Sequence, residues 1–91
     1  MSPSHPQPQA LLFIEGDLTI RRVQEMKDVI LARLEHSQAL ELDLAGVTEI
    51  DTAGAQLLLM ARRAAHSSGK DLRLAAPSPA VASLFGLLRI A

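Results

Sequence analysis

Apolar and polar positions along this chain alternate between two spacings, and each change of spacing marks an element. Residues 10–15 (ALLFIE) form a short apolar run that stops at Gly16-Asp17, which predicts a strand leading into a turn. From residue 20 to about residue 36 the apolar positions Val23, Met26, Ile30 and Leu34 recur at helical spacing. Arg22, Glu25, Asp28 and Arg33 fall opposite or on the flanks, and Thr19 is the expected cap. The period then drops to two: Leu40, Leu42 and Leu44 alternate with Glu41 and Asp43, the pattern of a strand with one wet face. Gly46 interrupts it, and Val47 to Ile50 lead into Asp51-Thr52-Ala53-Gly54. A second helix is predicted from there to about Ser68, with Gly69 suited to a left-handed cap. Leu72 and Leu74 around Arg73 predict a third strand. Ser78-Pro79 is a helix start, and Val81, Leu84, Phe85 and Leu88 supply the apolar stripe of the last helix.

The order β-α-β-α-β-α implies right-handed crossovers and parallel neighbouring strands. Doubly wound sheets are covered on both faces, so their strands read as continuous apolar runs; the alternation here implies helices on one face only. The predicted class is therefore α/β with two layers. Residues 1–9 carry Pro3, Pro6 and Pro8 without apolar periodicity and read as a flexible tail. Residues 10–91 read as one domain.

Composition narrows the function classes. A chain of 91 residues buries roughly 60–65% of its unfolded surface, enough for a core but not for a deep catalytic cleft. The formal net charge of −1 lacks the basic excess that phosphate neutralisation requires. Phe13 and Phe85 are the only aromatic residues among Phe, Tyr and Trp, so stacking platforms for single-stranded nucleic acid are missing as well. Absence of cysteine excludes disulfides, thiolate metal sites and thiol catalysis. The start has no secretory pattern, and no apolar run approaches the ~20 residues of a membrane span. A cytoplasmic protein without nucleic-acid binding or membrane insertion is expected.

The stretch LELDLAGVTEIDTAGAQLLLMARRA (residues 40–64) resembles the signature of the STAS family, shared by sulfate transporters and bacterial anti-sigma factor antagonists. In that signature an L-x-L-D-L strand runs into a D-S/T-x-G turn that opens a helix. Gly16 to Thr19 (GDLT) and residues 72–85 (LRLAAPSPAVASLF) are similar to the segments that precede and follow it. The resemblance implies a mixed sheet with helices packed on one side, and a role in protein docking without catalysis or cofactor. It also implies a phosphorylation switch at the residue before the glycine. Here that residue is Ala53, which has no hydroxyl; Thr52, one position earlier, is the possible phosphorylation site. The D-T-x-G form is similar to STAS subunits of lipid-transport ABC complexes and to chemotaxis-associated STAS proteins. The implied partner is an anti-sigma factor or kinase-like ATPase, a chemotaxis component or a transporter subunit, bound constitutively rather than through a phosphoswitch.

Projecting the second helix at 100° per residue places Leu57, Ala61, Ala64 and Ala65 on one arc, expected to face the sheet. Gln56, Leu59, Arg62, Arg63 and His66 fall on the other. An apolar Leu59 among Arg and Gln, on the side of Thr52, reads as an interface anchor. The expected partner-binding set is Asp51, Thr52, Ala53, Gly54, Gln56, Leu59 and Arg63, with His66 beside it. Asp51 alone reads as a helix cap. Gly54 without a surrounding phosphate-loop frame reads as a point of close backbone approach. His5, His36 and His66 are scattered and predict no metal site, and His36 near a helix C-terminus suits the helix dipole. The alternative is a small hydrolase using Thr52 as nucleophile, which needs a base within reach; a small-ligand carrier would need a cavity that so small a core rarely leaves. Leu87, Leu88 and Ile90 near the end favour self-association or burial on a partner, and a homodimer is one expectation.

Overall fold

A computed structural model of the chain describes residues 9–89. The elements follow the predicted order: β1 (Gln9–Leu18), α1 (Val23–Glu35), β2 (Ala39–Ile50), α2 (Thr52–Ser67), β3 (Asp71–Ala75) and α3 (Pro79–Leu88). The tail expected over residues 1–9 lies outside the described residues except for Gln9, whose backbone opens β1, and Ile90 also lies outside them.

The strands pair in the order β1-β2-β3, both pairs parallel. The α/β class with helices on one face therefore holds, while the described sheet is parallel where a mixed one was implied. Every strand is followed by a helix, and such a crossover returns the chain in the same direction. Both crossovers also step the same way across the sheet, so right-handedness sets α1 and α2 on one face. Leu12, Ile14, Leu40, Leu42, Leu44 and Leu72 point into that face and are buried. Leu11, Phe13 and Arg73 point to the other and are exposed. Met26, Ile30 and Leu34 of α1 and Leu57, Leu58, Ala61 and Ala65 of α2 complete the core, while α3 packs on β2 and α2 through buried Val81.

Several local readings change. Gly16-Asp17 is a bulge rather than a turn: β1 continues to Leu18 while its register against β2 shifts between Phe13 and Glu15 and again between Gly16 and Asp17. Gly16 takes φ +83° there, a left-handed conformation that favours glycine. The extra residues of both shifts lie on β2, whose buried positions change phase between Leu44 and Val47. Leu18 keeps the phase of Leu12 and Ile14 and is fully buried; Arg22 Nη1 donates to the Glu15 and Asp17 carbonyls at 2.9 and 2.7 Å. Gly46 does not interrupt β2, because it is the residue opposite Glu15 at this bulge. Thr19 does not cap α1, which begins at Val23 with no side-chain cap. Its hydroxyl donates to Asp17 Oδ2 at 2.7 Å, and its carbonyl accepts from Arg22 and Val23 in a separate turn. At the other end of α1, Lys70 Nζ donates to the Leu34 and Glu35 carbonyls at 2.6 and 3.1 Å. Lys70 is thus the cation at that helix end, while His36 is exposed there.

Candidate functional site

The site begins where β2 ends. Asp51 is the N-cap of α2, its backbone extended, and its two carboxylate oxygens serve two segments. Oδ1 accepts from Gly54 N–H at 2.9 Å, and Oδ2 accepts from Ile20 N–H at 3.0 Å. One side chain thus stabilises the first turn of α2 and ties it to the turn after β1. Gly54 allows the close approach: a Cβ built there would lie 2.0 Å from the Leu18 carbonyl oxygen and 3.0 Å from Ile50 Cγ1. The expectation of a close backbone approach at Gly54 is met by the chain's own β1.

The Gly54 N–H, and after it the Ile20 N–H, hold the Asp51 carboxyl below the usual carboxylate range. A depressed folded-state value means that ionised Asp51 stabilises the fold above the unfolded carboxyl's pKa, and that this contribution is lost as pH falls through the folded value. Asp17, held low first by the Thr19 hydroxyl and then by Arg21 and Arg22, acts in the same direction. Asp51→Asn is therefore expected to lower the urea midpoint at neutral pH and to flatten its fall below about pH 4. An acid limb as steep as the wild type's would assign the effect to other carboxylates.

This lock presents the outward side of α2. Thr52 is exposed, and its hydroxyl has no partner among the described residues. Ala53 is half-buried, Gln56 exposed, Leu59 half-buried, and Arg63 and His66 exposed. The predicted strip divides along the helix. Leu59, Arg63 and His66 line one surface groove of about 530 Å³ together with Arg62. Ala53 and Gln56 line another, of about 310 Å³, whose far wall is Val23, Gln24 and Lys27 of α1. Arg62 and the α1 wall are outside the predicted set. Arg62 was legible, since it shares the polar arc, whereas the α1 wall follows from packing. Among the described residues Arg62 and Arg63 have no ion-pair partner, and α2 contains no acidic residue. The groove therefore sets the apolar Leu59 beside these two guanidinium groups.

Chemically, the arrangement supports contact more readily than proton transfer. Asp51 is the carboxylate next to Thr52, and both its oxygens already accept backbone N–H groups. No described residue stands in hydrogen-bond reach of the Thr52 hydroxyl as a base.

The model of the family described as "Mlab, STAS domain" matches residues 1–91. The chain belongs to this STAS family. The family is one of protein-interaction and regulatory modules. The fold of this STAS chain also resembles solved structures. One is the STAS domain of a SulP transporter from Vibrio cholerae, with a TM-score of 0.65 and 21% identity, over 96% of this chain and 70% of that one. Another is a protein described as Mglu, with a TM-score of 0.68 and 20% identity; the match covers 78% of this chain and 18% of that one. At these identities the likeness is one of fold. No curated protein matches the chain. No helix among the described residues is long and apolar enough to cross a membrane.

Proposed function

We propose that this STAS chain is a non-catalytic, cytoplasmic docking module that binds a partner protein through the Asp51-Thr52-Ala53-Gly54 turn and the outward face of α2. The observation that carries the proposal is the unpartnered Thr52 hydroxyl at a helix start that Asp51 and Gly54 fix against β1. A rigid, accessible first turn needs no ordering on binding, which favours affinity. Thr52, Ala53 and Gln56 form the near part of the contact, and Leu59 with Arg63 and His66 the far part. Asp51 and Gly54 act by positioning.

The partner is an ATPase-type subunit, of the kind that anti-sigma factors, chemotaxis assemblies and ABC transporters supply, and a transporter ATPase is the reading preferred. Two features support it: Ala53 where a switch would need a hydroxyl, and the family model's match to the whole chain. Docking is accordingly constitutive. The protein purified from its host at native level should carry a stoichiometric partner with a nucleotide-binding site, and its intact mass should show an unmodified chain. Thr52→Arg, folded to the same melting temperature, should lose the partner. A mass increase of one phosphate on Thr52 accompanied by release of the partner would replace constitutive docking with a switch.

A further inference from the structure

The two edges of the sheet are treated differently. Carbonyls of β1 at Leu11, Glu15 and Asp17 accept guanidinium N–H groups from Arg33 and Arg22, which protects an edge strand from pairing. β3, the other edge, has no such cover among the described residues. Asp71 N–H donates to Gln38 O at 3.1 Å, so the peptide groups of Asp71, Arg73 and Ala75 face β2. Alternation then turns the N–H and C=O of Leu72 and Leu74 to the free side. No described group bonds to them there, and α3 packs on β2 and α2 rather than along β3.

We propose that this edge is the contact between two copies of the chain, with the β3 strands pairing antiparallel about a two-fold axis at Leu72. Such an interface is self-complementary by symmetry. Leu72 exchanges both backbone bonds with its own copy, and Leu74 N–H reaches the Lys70 carbonyl of the other chain. Lys70 N–H is already donated to Ala65 O at 2.8 Å and does not compete. On the outer face this register sets Asp71 of each copy opposite Arg73 of the other. Both are exposed, and neither has an ion-pair partner among the described residues. Arg73 then stands between Glu41, its neighbour on β2, and Asp71 of the second copy; opposite charges directly across a ladder stabilise it.

Other registers fail. An axis at Arg73 would pair Leu72 with Leu74 through the same free peptide groups, but it sets the two arginines directly opposite each other and leaves Asp71 without its cation, which disfavours it. An axis at Leu74 sets Leu72 against Ala76, which has left the strand at φ +53°. On the inner face, an apolar groove of about 410 Å³ with Leu72, Leu74, Val81 and Phe85 in its lining runs beside this edge, and the second copy closes its open side. Arg62 lines the same groove, so the helix layers bring like charges together and attraction rests with the strands. The expected dissociation constant is roughly tens of micromolar, as for small interfaces.

Sedimentation of the full chain across about a hundredfold range of concentration tests the assignment, with melting temperature as the folding control. The wild type should move from monomer to dimer. Asp71→Arg should weaken the dimer by about tenfold or more, and adding Arg73→Asp should restore it to within about threefold. Leu74→Pro, which removes an N–H that the chain itself does not use, should also weaken it by at least about tenfold. A monomer throughout would overturn the proposal. So would a dimer that neither Asp71→Arg nor Leu74→Pro weakens, or a folded double variant that stays monomeric.

Discussion

Gly54→Ala is expected to destabilise the protein by about 3 kcal/mol or more, a large share of the stability of a domain this size. The added methyl group would sit 2.0 Å from the Leu18 carbonyl oxygen, far inside any van der Waals contact. The obstacle is backbone in a buried strand end, so a change of rotamer gives no relief. The alternative is for the start of α2 to move away from β1. That movement strains the Asp51 bridge to Gly54 N–H and Ile20 N–H and opens space beside the buried Leu18 and Leu58. Gly86 is the natural control. A Cβ there meets nothing within 4 Å, and an interior helix position gains about 0.5–1 kcal/mol from glycine to alanine. Urea unfolding followed by circular dichroism should therefore give shifts of opposite sign for two identical substitutions. A Gly54→Ala protein within about 1 kcal/mol of wild type would mean that the first turn of α2 is not fixed by this contact.

The second large effect is on binding. Leu59→Glu should lower partner affinity about a hundredfold, which corresponds to about 2.7 kcal/mol, within the range of a central anchor residue. Leu59 is half-buried and lines the groove together with Arg62, Arg63 and His66. A glutamate would attract Arg62 and Arg63 and place in the groove a charge that an apolar partner surface would not accommodate. Folding should change little, because Leu59 is not part of the buried core. Calorimetric titration of the proposed ATPase partner into wild type and variant reads the change. An unchanged dissociation constant with an intact fold would remove Leu59 from the contact.

Much of this was legible in the chain because it depends on local pattern. Leu40, Leu42, Leu44 and Leu72 gave the buried face of the sheet. Ser78 accepts from Val81 N–H at 3.2 Å with Pro79 in the first turn, and Gly69 takes φ +71° after α2. Asp51 was readable as a cap from its place before the helix. Its second bond, to Ile20 across 31 residues, was not, because no spacing encodes which distant N–H lacks an acceptor. The same holds for Lys70 at the end of α1 and for the bulge at Gly16, which exists only relative to the register of β2. The candidate strip was legible as an arc of α2. Its division into two grooves was not, because the wall holding Ala53 and Gln56 belongs to α1.

Docking through α2 is tested most directly by an amide and methyl chemical-shift map of the isotopically labelled chain with the proposed ATPase partner added in steps. The largest changes should fall on Thr52, Ala53, Gln56, Leu59, Arg63 and His66, with the outer sheet residues Leu11 and Phe13 unmoved. Changes centred on Leu11 and Phe13, or on α3, with Thr52 and Leu59 silent, would contradict it.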